Sequence, residues 1–375
     1  MILSLDTEVT TNNKGNPFDK RNYLVCVSYC YDEQKGCLFF DDVDFNQTIQ
    51  SLIDKATIIV GFNFKFDLHW LVKQGFNLDG KRIWDCQLAE FILSSQTQKY
   101  PSLNDACAKY GLGSKLDVIK LEYWDKGIDT ADIPREVLYP YAVNDAELTL
   151  EVYNCQQKVV SPKQKKLISL GCQDLPILAE MERNGILLDV EKCKQASSKL
   201  NDKISEITEK LQQIYPSIPI NWNSGDHVSA FLYGGVVKET KKVLDGFYKT
   251  GQKAGQPKYR NQEVEHTLPR LCIPLKGSEL KKEGFFATNE DTLKKLKGNK
   301  KYVEWLLELS KLEKLNGTYY KGLPSKIEEM YWEDNYLHGQ FNQCVAATGR
   351  LASSNPNLQN FASDLQDIFI TRIKE

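Results

Sequence analysis

Over the first 155 residues, short apolar runs that read as strands alternate with stretches of helical spacing, which points to an α/β layer fold. Met1 to Leu5 reads as a buried strand, Tyr23 to Tyr31 as a second, Cys37 to Phe40 as a third and Ile58 to Phe62 as a fourth. Behind Asn63, the stretch from Phe64 to Gln74 predicts a capped helix that stops at Gly75. From about Ser161 the spacing turns helical, over Leu167 to Arg183, Val190 to Ile214, a helix opening at Ser224 and another from about Tyr302 to Leu315. Between the last two, the lysine- and glycine-rich stretch from about Val237 to Gly284 shows little periodicity and reads as a long loop. A strand-like pattern returns after Tyr336.

The net charge of −2 conceals a division along the chain. Lysine and arginine number 15 against 23 acids in residues 1–155, 30 against 22 in residues 156–330, and 3 against 5 in residues 331–375. An acidic front fits a cleft of cation-binding carboxylates and a basic middle fits contact with a polyanion, although each also fits an ordinary solvated surface. No apolar run approaches the ~20 residues of a membrane span, and Asp6 interrupts the first run too early for a signal peptide. Ten cysteines without a Cys-x-x-Cys pair read as buried free thiols, not as a zinc site.

Asp6-Thr7-Glu8 ends the first strand, where residues i and i+2 share a face, so both carboxylates enter one cleft and can hold a hard divalent cation. By itself the pair also fits a strand edge with solvated acids. Asn63-Phe64-Lys65-Phe66-Asp67 then places an acid in the first turn of a helix entered from a buried strand. Tyr141-Ala142-Val143-Asn144-Asp145 places a tyrosine and an aspartate at i and i+4 on one helix face. Alone, Asp67 fits an exposed helix acid and Tyr141 half-buried packing; their order and separation are what make them a set.

In that order and spacing, the residues resemble the proofreading domain of family A DNA polymerases, within the nuclease superfamily that uses four acids and a tyrosine. The resemblance implies an α/β ribonuclease H-like exonuclease domain, a mixed sheet with flanking helices, over residues 1–155. It also implies two-metal phosphodiester hydrolysis at a 3′ end, with two divalent cations, Mg²⁺ or Mn²⁺, as cofactors. Asp6 would bridge the ions, Glu8 and Asp145 would complete the first site, and Asp67 would hold the second through water. Tyr141 would orient the attacking water with Glu8, and Asn63 would contact the DNA. The wedge that family members place under the terminal base is matched only in part by Val9-Thr10-Thr11-Asn12.

Further along, Glu180 to Asp189 resembles the segment entering the polymerase thumb, and Ile220 to Ser224 its next landmark. Phe341-Asn342-Gln343 and the run from Thr348 to Asn360 closely resemble the stretch leading into the palm. The implied remainder is a mainly helical thumb over 156–330, with a basic insertion at about 237–284, and an incomplete palm over 331–375. Gln343, Thr348, Arg350, Asn357 and Gln359 would bind the primer-template duplex, Gln343 and Arg350 in its minor groove. Lys241, Lys242, Lys253, Lys258 and Arg260 of the insertion would grip phosphates.

Phe369-Ile370-Thr371-Arg372 resembles the first palm strand, and the motifs for nucleotide transfer do not follow it. A palm strand standing in open space would leave an unpaired edge. The expectation is therefore the N-terminal piece of a split, virus-encoded polymerase, in the host cytoplasm, with palm and fingers on a separate chain and no membrane partner. A truncated gene would look the same. A free-standing exonuclease would share the acids without the thumb and palm stretches, and a non-catalytic DNA-clamping scaffold would have no use for the acids.

Overall fold

The computed structural model describes residues 1–116, 118–296, 301–361 and 363–371. Near the N-terminus, β1 (Ile2–Val9), β2 (Leu24–Tyr31), β3 (Gln34–Phe39), β4 (Ile58–Gly61) and β5 (Arg82–Asp85) form one mixed sheet in the order β3-β2-β1-β4-β5. The first three strands are antiparallel, whereas β4 runs parallel to β1 and β5 parallel to β4. The chain passes from strand to helix through α1 (Phe45–Lys55), α2 (Lys65–Lys73), α3 (Cys86–Leu93), α4 (Leu103–Tyr110), α5 (Val118–Glu122), α6 (Arg135–Val159) and α7 (Pro162–Asn184). Leu3, Leu5, Ile49, Ile53, Ile59, Phe64 and Leu71 are wholly or almost wholly buried between these layers. The four expected strands are present; the short β5 has no counterpart in the sequence reading.

The sheet opens where the site lies. β1 pairs with β4 only over Ile2–Ser4, while its pairing with β2 continues to Val9. Past Ser4 the two parallel strands therefore part, leaving a crevice beyond the carboxyl end of β4, the usual position for ligands in open α/β sheets. The turn into α2 is not capped by the Asn63 side chain as expected: Asn63 takes the left-handed conformation, φ 57°. Asp85, at the end of β5, instead accepts from the backbone N–H groups of Asn63 and Phe64 at 3.2 and 2.9 Å. Gly61 is required here, because a Cβ would lie 2.1 Å from the buried Phe64 ring.

After β6 (Ile186–Leu188) the chain forms a second compact unit, Glu191–Gly322. It contains α8 (Val190–Gln212), α9 (Gly225–Tyr233), whose N-cap is Ser224 as expected, β7 (Gly235–Phe247), β8 (Pro257–Leu268), α10 (Glu290–Lys295) and α11 (Lys301–Lys314). The stretch read as a loop is thus in large part a long antiparallel hairpin, in register from Gly235↔Leu268 to Leu244↔Tyr259, with a register shift before Phe247↔Pro257. Its root is buried at Val237 and Leu268, but most of the rest is exposed on both faces. A ribbon solvated on both sides has no apolar alternation to betray it.

The chain returns to the first unit, Met1–Val190 with Leu323–Glu375, through α12 (Gly322–Glu329), β9 (Tyr336–Leu337), β10 (Gln340–Asn342), β11 (Ala352–Ser354) and β12 (Phe369–Ile370). The expected palm strand does not stand in open space: Phe369 and Ile370 pair with Leu188 and Leu187, and β6 pairs on its other edge with β9. Leu365 and Ile368 just before it are buried. Arg372 of that expected strand lies outside the described residues. The two units divide at 190/191 and 322/323, not at the expected 155/156 and 330/331, because α7 packs on α2, α3 and β5.

One buried network ties these pieces of the first unit together. Glu182 of α7, only 3% exposed, accepts from His69 Nε2 at 2.8 Å, from the Phe341 backbone N–H at 2.6 Å and from the Lys65 ammonium. Burial alone would raise the Glu182 carboxyl, but these donors hold it below the usual range. All ten cysteines are free thiols, nine of them buried. Among the described residues no helix is long and apolar enough to cross a membrane.

Candidate active site

β1 delivers Asp6 and Glu8 to one side of the crevice, and α6 delivers Asp145 to the other. One carboxylate oxygen from each of the three lies within 4.8 Å of the others. Glu8 and Asp145 are 8% and 2% exposed, while Asp6 keeps part of its surface open to solvent. Like charges so close in a dry crevice disfavour ionisation. Burial, then the charge of Asp145, push the Asp6 carboxyl up from 3.8 to about 7, and burial with the charges of Asp6 and Asp145 pushes Glu8 well above its ordinary value. Asp145 is also raised by burial, against the pull of Lys115 and of a hydrogen bond to Tyr141.

Tyr141, one helical turn before Asp145, is buried, with its ring against Trp124 at 5.9 Å and 87°. Burial and the neighbouring carboxylates raise its phenol far above its ordinary range, so it stays protonated and acts only as a hydroxyl. Asp67 lies across from the same strand, 3% exposed, and its Oδ1 accepts from the Thr7 N–H at 2.9 Å and the Thr7 hydroxyl at 2.6 Å. It is therefore anchored to β1 between Asp6 and Glu8 and is not part of the three-carboxylate group. Lys115 is a cation the sequence reading missed: its ammonium is 2.5 Å from Asp145 Oδ2.

The three carboxylates suit a hard cation. Asp145 Oδ1 is buried without any hydrogen-bond partner, an acceptor that a bound cation would satisfy. Raised carboxyls imply a stability effect in protein stripped of divalent ions. A group raised in the fold stabilises fully below its unfolded value and loses that contribution as pH rises through the folded value. For Asp6 the window is 3.8 to about 7, with a loss of at most about 4 kcal/mol. Thermal melts in EDTA should fall from about pH 5 to about pH 8, flatten in Asp6→Asn, and recover with Mg²⁺; a melt indifferent to pH and Mg²⁺ would refute this.

The remaining expected residues are dispersed. Asn63 and Gln343 line one small cavity with Lys65, Gln87 and Tyr100, but the Gln343 amide donates to the Gly171 carbonyl at 2.9 Å. Thr348, Arg350, Asn357 and Gln359 are exposed in the first unit, Asn357 accepting from the Gln359 N–H at 3.0 Å. In the wedge segment, Thr10 is buried and donates to Asn22 at 3.0 Å, and Thr11 donates to Asp129 at 2.7 Å. Lys241, Lys242, Lys253, Lys258 and Arg260 are all exposed on the hairpin of the second unit. The register puts Lys241 and Arg260 on one face of it and Lys242 on the other.

Two family profiles match this chain: "3′-5′ exonuclease" over residues 2–161 and "DNA polymerase family A" over residues 261–374. DNA polymerase I of Synechocystis sp. is 28% identical over 305 residues, covering 80% of this chain and 26% of that protein. DNA polymerase I of Borreliella burgdorferi is 28% identical over 335 residues, covering 88% and 31%. The DNA polymerase of Escherichia phage T5 is 25% identical over 371 residues, covering 91% and 39%. The chain thus spans about a quarter to two-fifths of the length of these relatives. Among solved structures, the polymerase domain of Pol1 from M. smegmatis, in complex with DNA primer-template and dNTP, superposes with a TM-score of 0.68 at 20% identity over 96% of this chain and 51% of that one.

Proposed function

From a chain whose residues 2–161 are a 3′-5′ exonuclease domain and whose residues 261–374 belong to DNA polymerase family A, we propose a proofreading 3′-5′ exodeoxyribonuclease joined to DNA-holding parts of a polymerase. The observation that carries the reading is the convergence of Asp6, Glu8 and Asp145 around a buried, unpartnered carboxylate oxygen, beside a tyrosine that cannot ionise. Asp6, Glu8 and Asp145 would hold a divalent ion, and Asp67 a second. Bound there, Mg²⁺ or Mn²⁺ supplies Lewis acidity and an activated water for cleaving the phosphodiester. Tyr141 donates its O–H to orient that water or a phosphate oxygen. Asp67, fixed by both Thr7 donors, keeps a constant distance from the strand that carries Asp6 and Glu8.

Asn63, Gln343, Thr348, Arg350, Asn357 and Gln359 contact the DNA in this reading. Gln343 must then exchange its Gly171 bond for one to a base edge. A separate chain carrying palm and fingers also belongs to the proposal; association of this chain with it in gel filtration is the test, and failure to associate removes that part alone. The main test is a 5′-labelled single strand incubated with Mg²⁺. Successive shortening from the 3′ end supports the reading, and internal or 5′ cleavage refutes it.

The hairpin is the proposed phosphate grip. Residues 242–260 hold five cations against one acid. Lys241 is paired to Glu239 at 3.1 Å, while Lys258 and Arg260 share Asp245 at 3.6 and 3.9 Å. Changing Lys241, Lys242 and Lys253 to glutamine should lower the slope of log affinity against log salt by about one unit for every phosphate that is no longer neutralised. An unchanged slope places the DNA elsewhere.

A further inference from the structure

Lys115 lies on none of the elements that carry the acids. It belongs to the irregular stretch between α4 and α5, which is pinned at both sides: Lys115 N–H donates to Asn104 Oδ1 at 3.2 Å, and Asn144 Nδ2 donates to the Ser114 carbonyl at 3.3 Å. Asn144 is the neighbour of Asp145 on α6, so the loop is fastened to the same helical turn that carries the acid. From there the ammonium reaches Asp145 Oδ2 at 2.5 Å and stands 5.6 Å from the centre of the Tyr141 ring. The side chain keeps 30% of its surface open to solvent.

Resting on the metal-site reading above, we propose that Lys115 is a resident cation of the carboxylate cluster. Its ammonium holds Asp145 Oδ2 beside the unpartnered Oδ1 that a divalent ion would take, and so sets how tightly the cluster binds that ion. Once ionised around an ion, three carboxylates and one ammonium leave two negative charges, matched by a single divalent ion; without Lys115 the cluster has a surplus. A positive charge a few ångströms from the ion's position opposes it directly, and the pinned loop limits how far the ammonium can retreat. Lys115 is therefore a positioning residue that acts through Asp145 and the ion.

The test is Mn²⁺ binding, followed by electron paramagnetic resonance in the absence of nucleic acid, on the full chain. Lys115→Met keeps the stem and removes the charge, and should tighten Mn²⁺ binding by about tenfold or more. Lys115→Gln should do the same, which keeps the test decisive if the methionine variant does not fold. Lys115→Arg should stay within about threefold of wild type. Unchanged or weaker binding in the uncharged variants overturns the proposal and makes the pair an ordinary structural one. Asp6→Ala separates the two levels of inference: if wild-type binding survives it, or if no variant binds Mn²⁺, the cluster reading itself fails. If binding depends on Asp6 but does not tighten, only the role of Lys115 fails.

Discussion

Changing Asp6 to alanine is expected to slow Mg²⁺-dependent shortening of a single strand by about a thousandfold or more. Asp6 is one of three carboxylates whose oxygens lie within 4.8 Å of one another, and removing it takes one ligand from that group. The fold should tolerate the change, because the backbone of Asp6 is held in β1 by its pairing with Ser28 of β2. Without divalent ions the variant should melt no lower than wild type near pH 8, since the group removed is a carboxyl kept from ionising easily. A 5′-labelled oligonucleotide on a denaturing gel gives the rate. More than about a tenth of wild-type activity in a clean preparation would mean that Asp6 does not hold the ion.

Glu182→Ala is expected to cost about 3–5 kcal/mol of stability, because it strands Lys65 and His69 in the interior of the first unit. Lys65 is 14% exposed and His69 4%, so neither recovers full hydration. The Phe341 N–H also loses its acceptor. Lys65 and His69 flank Asp67 on α2, so a local loss should weaken metal binding as well. Urea denaturation measures the first effect. A change below about 1 kcal/mol would show that the network is incidental to the fold. Glu182→Gln, which keeps one acceptor, should fall between the two.

Three of the four acids were legible because each lies in a local pattern with a geometric meaning: i and i+2 on a strand for Asp6 and Glu8, and i and i+4 on a helix for Tyr141 and Asp145. Asp67 was legible by position, but its Thr7 anchor spans 60 residues of chain, which no local pattern encodes. Lys115 and Asp85 were invisible for the same reason. One sits in a loop without periodicity and the other ends a four-residue strand, and each acts on a residue far along the chain. The hairpin failed differently. Periodicity reports burial, and a ribbon with water on both faces buries too little for its strands to show.

The pairing of β6 with β9 and β12 also bears on how the chain is made. A ribosome delivers residues in order, at about 5–20 per second, so Leu188 emerges roughly ten to forty seconds before its partner Phe369. The five-stranded sheet needs nothing beyond Asp85, and the acids need nothing beyond Asp145. During synthesis, then, the carboxylates gather on a nascent chain while Ile186–Leu188 still has two open edges and Glu182 still lacks Phe341. The carboxylate cluster is assembled first, and the seam that fastens its surroundings is closed last.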